Sequence, residues 1–260
     1  MHAPSSPTFA RYVAIGDSST EGIDDPDGAG GYRGWSQRLA ERIDGQQDNA
    51  LLYANLAVRG LTTRQIQDRQ LEAALAMKPD LATLFCGTND CTGLRFDAES
   101  VADDIAHMQR ALVDNGATVL SFTLPDLTPL MPLARLISPR IAAMNQALAD
   151  ASKKSGAILV DFAAYPVATD QRLWSEDRIH ANSAGHARIA EALAQALNLP
   201  GTNDDWRQPF PTSLNQSRTQ WGAAEARWYN RHFFPWIWQG LRGQSAGDGR
   251  VCKRPELAPL

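Results

Sequence analysis

Cysteine is scarce in this 260-residue chain, which has three: Cys86, Cys91 and Cys252. An odd number, with no Cys-x-x-Cys pair and no histidines at zinc-ligand spacing, argues against a disulfide framework or a metal site. Long apolar runs are missing too, and none approaches the roughly 18 residues that cross a bilayer. Residues 1–7 lack the basic-then-apolar order of a secretion signal, so the expected location is cytoplasmic. With 43% hydrophobic and 21% charged residues, the composition is that of a folded soluble domain. Disorder, collagen and coiled coil are thereby set aside. At this length one α/β domain with a buried core is expected, plus an appendage.

Basic residues are unevenly spread. The net charge is -4, yet residues 206–260 hold eight Arg/Lys against three acids, a net of +5 that leaves -9 for residues 1–205. Trp206, Trp221, Trp228, Trp236 and Trp238 fall in the same basic stretch. An acidic body with a basic, aromatic tail implies that the tail docks on the body or on an anionic surface.

Short apolar or β-branched runs at 12–15, 51–58, 80–85, 118–124 and 157–162 read as five buried strands. Helical periodicity marks 35–43, 63–77, 98–115, 136–154 and 183–197. Thr62 can cap the second helix, while Gly116 and Gly156 follow the third and fourth. The alternation predicts a three-layer α/β/α domain around a central five-stranded parallel sheet. Ligands of such sheets bind beyond the carboxyl ends of the strands. Past Pro200 the pattern breaks: 218–234 fits one helix ended by Pro235, and 243–260 reads as an extended or loose tail.

Gly16-Asp17-Ser18-Ser19 directly follows the first strand, which puts the Ser18 hydroxyl at a strand's carboxyl end. A serine hydroxyl is a weak nucleophile until a base takes its proton. The tripeptide alone is equally a strand-end turn. Among His2, His107, His180, His186 and His232, His180 has the best-placed neighbour. In Asp177-Arg178-Ile179-His180 the aspartate can accept the imidazole Nδ1–H and fix the tautomer. By itself that pair also reads as a helix-entry loop with a solvated ion pair. Acyl transfer further needs donors for an oxyanion. Gly60, in Ala57-Val58-Arg59-Gly60, offers a backbone N–H, and Asn89, in Gly87-Thr88-Asn89-Asp90, offers a side-chain NH2. Taken singly, these are a turn glycine and a capping residue.

Together, Ser18, Gly60, Asn89 and His180 stand in the order and contexts of the four blocks of the SGNH, or GDSL-type, hydrolases. The chain resembles that family over about residues 10–198. Ser18-Ser19-Thr20-Glu21-Gly22 is similar to a common continuation of the first block, and His180-Ala181-Asn182-Ser183-Ala184-Gly185-His186 to the opening of the last helix. Ser19 stands where the family's older name has leucine.

The resemblance implies a flavodoxin-like fold and hydrolysis of carboxylic acyl esters through a covalent acyl-enzyme. Ser18 would be the nucleophile, His180 the base and Asp177 its orienting acid. Ser18 N–H, Gly60 N–H and the Asn89 side chain would form the oxyanion hole. No metal or organic cofactor is implied. The same residues would also serve an acyltransferase, or the pocket a non-catalytic binding protein. Asp17 is expected to fix its turn rather than titrate, Asp90 to brace the Asn89 loop, and His186 to be packed or solvated. The expected organisation is a catalytic domain, 1–199, and an extension, 200–260, that packs on the domain, a partner subunit or a membrane surface. A small-molecule acyl ester is the expected partner, with no nucleic acid; 206–238 would carry any homo-oligomer or peripheral membrane contact.

Overall fold

β1 (Arg11–Gly16) is buried along all but its first residue. In the computed structural model, which describes residues 7–93, 95–211, 228, 231, 247 and 249–260, it pairs in parallel with β2 (Leu52–Asn55) and β3 (Leu81–Phe85). β4 (Thr118–Phe122) and β5 (Ile158–Val160) continue the parallel sheet from β3. All five expected strands are present, and a sixth joins them. β6 (Arg254–Pro259) lies antiparallel on β2, giving the order β5-β4-β3-β1-β2-β6.

The sheet therefore has six strands, and the end of the tail expected to be extended or loose is extended and forms its edge. Two prolines in Arg254–Pro259 hide that strand in the sequence, but an edge strand tolerates residues that cannot donate to a second neighbour. Lys253 anchors its start by donating from Nζ to the carbonyls of Tyr32 (2.7 Å) and Arg33 (3.0 Å).

α2 (Gly34–Asp44) packs with α8 (Ser183–Ala196), and α6 (Ala98–Asp114) with α7 (Ser138–Ser155). These pairs flank the sheet and make the three layers. α6 shows why: Asp97 caps its first turn by accepting from Glu99 and Ser100 N–H, and Val101, Ile105, Met108 and Leu112 recur at the helical spacing and are buried.

The segment expected as one helix over 63–77 is interrupted. α3 (Thr63–Ile66), opened by a capping box between Thr62 and Gln65, passes into a π turn, Gln67–Leu71, before α4 (Glu72–Ala76). The buried Gln70 in that turn clasps the end of β1. Gly16 N–H donates to its Oε1 (2.8 Å) and its Nε2 donates to Gly16 O (2.9 Å). No side chain fits at Gly16, where a Cβ would lie 2.3 Å from Thr20 Oγ1 and 2.4 Å from Phe85 O.

Among the described residues no helix is long and apolar enough to cross a membrane. The helix expected over 218–234 and the side chains of Trp221, Trp236 and Trp238 lie outside the described residues.

Candidate active site

One turn of helix, α1 (Ser18–Glu21), follows β1. Asp17 caps it, its Oδ1 accepting Ser19 N–H at 3.1 Å, so Ser18 sits at the first helical position beyond the strand's carboxyl end. Asp177 and His180 arrive on the loop before α8, whose N-cap is Asn182. Ser175 N–H donates to His180 O and Arg178 N–H to Ser175 O, closing that loop. Arg178 adopts a left-handed φ of 64°, which for a non-glycine residue costs about 1 kcal/mol or more. Its guanidinium donates to Leu130 O at 3.0 Å and lies 4.9 Å over the Trp228 ring, which holds the conformation in place.

The structure brings Ser18, His180 and Asp177 into one hydrogen-bonded series. His180 Nε2 is 2.9 Å from Ser18 Oγ, and His180 Nδ1 is 2.6 Å from Asp177 Oδ2. Asp177 Oδ1 takes three further donors: Ser175 Oγ, Ile179 N and His180 N, at 2.7 to 3.0 Å. Burial alone would raise the Asp177 carboxyl, but His180 and these donors outweigh it and hold the group well below the usual carboxylate range. Burial works against a charged His180, yet the bond to Asp177 and the charges of Asp177, Asp24 and Asp17 raise its basicity above the ordinary value of 6.5. Asp24 is a residue that the sequence motifs did not expose. Its carboxylate, Asp177 and His180 each present an atom within 4.8 Å of the others. Both imidazole nitrogens are already engaged, so Asp24 acts on His180 through charge.

Gly60 has a φ of 77°, a left-handed position that favours glycine, and the chain before it is pinned to α1. Arg59 N–H donates to Glu21 Oε2 at 2.8 Å, and the two side chains form an ion pair. Asn89, on α5 (Thr88–Thr92), directs its Nδ2 hydrogens at Leu61 O (2.9 Å) and Asp17 Oδ2 (3.3 Å). Asp90 braces that helix by accepting from both the backbone N–H and the hydroxyl of Thr63, each at 2.9 Å.

Asp17 differs from expectation in one respect. It does fix the turn, but burial, helped by the charge of Asp90, raises its carboxyl to about 7, so it titrates near neutrality. His186 is packed, not solvated. It accepts Trp35 N–H on Nδ1 (3.1 Å) and donates from Nε2 to Ile23 O (2.9 Å), and burial lowers its pKa to about 4. Cys86 and Cys91 are buried, and burial pushes the Cys91 thiol up to about 12, which removes thiolate chemistry at neutral pH.

Ser18 and His180 line a largely apolar cavity of about 840 Å³, its open mouth included. Its walls include Phe85, Phe122 and Leu124 at the ends of β3 and β4, Phe162 after β5, and Trp206.

A doubly wound sheet with such a series at its carboxyl edge has the architecture of the SGNH-type hydrolases. Residues 14–188 match the GDSL-like Lipase/Acylhydrolase family, and the chain belongs to it. It is an ester-hydrolysing enzyme of that family. No curated protein matches the chain in sequence.

Solved structures with the same fold include TesA (22% identity, TM-score 0.59, covering 72% of this chain and 97% of its own). Another is the psychrotrophic esterase EstA from Pseudoalteromonas sp., inhibited by monoethylphosphonate (16%, 0.58, 72% and 96%). A third is a lipase/acylhydrolase from Enterococcus faecalis (18%, 0.60, 75% and 100%). Each spans nearly all of its own length but only about three quarters of this chain.

Proposed function

We propose that the enzyme hydrolyses carboxylic acyl esters through a covalent acyl-enzyme on Ser18. The observation that carries this reading is the continuous series Ser18 Oγ, His180, Asp177 (2.9 and 2.6 Å) on the wall of an apolar cavity. His180 Nε2 takes the hydroxyl proton as Oγ attacks the ester carbonyl carbon. The carbonyl electron pair moves onto oxygen, and the tetrahedral intermediate collapses by expelling the alcohol, which receives the proton from His180. Water, deprotonated by the same imidazole, attacks the acyl carbon, and Ser18 leaves with the proton returned. Asp177 holds Nδ1–H and stabilises the imidazolium that forms.

Ser18 N–H, Gly60 N–H and Asn89 Nδ2 are the oxyanion donors in this proposal. The longer contact of Asn89, 3.3 Å to Asp17 Oδ2, is the one an oxyanion would displace. Ser18→Ala should abolish turnover of a short chromogenic ester. Asn89→Ala should lower kcat by roughly 10² to 10³ with a smaller change in KM. An unchanged kcat in either variant overturns the corresponding assignment.

In the same proposal the extension, 200–260, packs on the catalytic domain, 1–199. Its described residues support this. Trp228 Nε1 donates to Asp177 O at 3.3 Å, Arg231 lies 3.6 Å from Glu176, and β6 extends the sheet. Gly247 is buried so close to the Arg59 carbonyl that a Cβ there would lie 2.2 Å from it. The extension thus meets both the loop of Asp177 and the loop of Gly60.

A further inference from the structure

We propose that Trp206, which lies beyond the family-matched residues 14–188, is the stop that sets how long an acyl chain the enzyme accepts. The acid half of its substrate is then a linear, medium-length acyl group. This rests on the ester-hydrolase reading given above.

The cavity is lined at the carboxyl ends of four neighbouring strands, with Ser18 after β1, Phe85 on β3, Phe122 on β4, and Phe162 after β5 carrying Trp206 against it. Four aromatic rings follow the same path. Phe85 stacks on Phe122 with centroids 4.1 Å apart, Phe122 meets Phe162 edge-on at 5.4 Å, and Phe162 meets Trp206 edge-on at 5.4 Å. Three strand spacings of about 4.8 Å make the path about 14 Å long. Carbon–carbon bonds of about 1.5 Å, in a zigzag, advance about 1.3 Å per carbon; with about 3.5 Å left for the contact between the terminal methyl and the indole, a straight chain of roughly eight to ten carbons fills it. The walls are largely apolar, with Thr88, Thr123 and Arg188 among their polar members, and ordinary dispersion and water release suffice to hold such a chain.

Trp206 is built as a fixed wall. It is 6% exposed, and its indole N–H donates to Gln195 Oε1 at 2.6 Å. Gln195 Nε2 in turn donates to Asp204 Oδ1 at 2.7 Å. Arg188 donates to the carbonyls of both Trp206 and Gln208 at 2.8 Å and stacks 4.2 Å from Phe210. Tyr165 closes the remaining side, its ring 4.9 Å from the indole. Residues 204–210 are thereby locked onto α8, and the far end of the cavity is shaped by a segment outside the region the family match covers.

The test is a series of 4-nitrophenyl esters from acetyl to hexadecanoyl, run on the full-length enzyme, Trp206→Ala, Trp206→Leu and Ala168→Leu. Each methylene buried is worth about fourfold in kcat/KM, so the wild-type profile should climb to about eight to ten carbons and then fall. Trp206→Ala should raise the ratio of dodecanoyl to octanoyl kcat/KM about tenfold or more, because room for two further methylenes is opened. Trp206→Leu keeps an apolar side chain and should move the ratio in the same direction by less, which preserves the test if the alanine variant does not fold. Ala168→Leu, on the cavity wall, should shift the optimum to shorter chains. Unshifted ratios in folded Trp206→Leu and Ala168→Leu would overturn this proposal alone. Ester turnover by Ser18→Ala would instead overturn the acyl-enzyme on Ser18 beneath it.

Discussion

Replacing Asp17 by asparagine should stabilise the protein above neutral pH and change little in acid. Asp17 is 1% exposed, and no cation is among the groups that bond its carboxylate, which are Ser19 N–H and the Asn89 amide. Burial raises its carboxyl from the ordinary 3.8 to about 7, against the opposing pull of Ser19 N–H and His180. Between about pH 4 and 7 the folded protein holds a proton that the unfolded chain has released, so stability falls as pH rises through this window. A gap of about three units corresponds to about 4 kcal/mol, fully expressed above pH 7 and absent below pH 4. Asparagine keeps an oxygen for Ser19 N–H and gives up only the long contact from Asn89 Nδ2, so the substitution removes the ionisation and leaves the cap. Thermal or urea melts of both proteins from pH 4 to 9 measure the difference. The curves should coincide in acid and separate to about 10 °C in Tm by pH 8. Parallel curves would refute the assignment of a buried carboxyl that ionises at a cost.

Activity should rise with pH through an ionisation above the ordinary histidine value, because only neutral His180 can accept the Ser18 proton and Asp177 and Asp24 favour its charged form. Asp24→Asn should move that inflection in kcat/KM to lower pH; an unmoved inflection would remove Asp24 from the site's electrostatics. Gln70→Ala leaves two buried backbone groups of Gly16 without their partner and should cost about 1 to 3 kcal/mol with a loss of kcat, read by urea melts and steady-state kinetics. Trp228→Phe, which deletes one donor to Asp177 O and retains a ring for Arg178, should lower kcat more than it raises KM. A pure KM effect would place Trp228 in substrate binding instead.

The parts of the site written in local sequence were readable there. A strand followed by Gly16-Asp17-Ser18 presents the hydroxyl where a parallel sheet exposes ligands, and a three-residue spacing on a turn lets Asp177 reach His180 Nδ1. Groups that act across the fold were not readable. Gln70 reaches Gly16 only because a π turn rotates it inward, and nothing in the 63–77 periodicity marks that turn. Asp24 comes to His180 across 156 positions of chain. Asp17 shows its capping role in the sequence, but its titration depends on burial that only the packed loops around Asn89 and Asp90 create. β6 was hidden by its prolines, since an edge pairing with β2 is decided by the partner strand and not by propensity.

The claim on which all of this stands is that Ser18 is the nucleophile. A fluorophosphonate ester that phosphonylates activated serines with loss of fluoride tests it directly. Intact-mass and peptide-mass analysis of the wild type should show one adduct, on the peptide carrying Ser18, formed in step with loss of ester hydrolysis. The Ser18→Ala protein should remain folded, unlabelled and inactive. An adduct on another residue, or ester turnover by the alanine variant at the wild-type rate, would contradict the account.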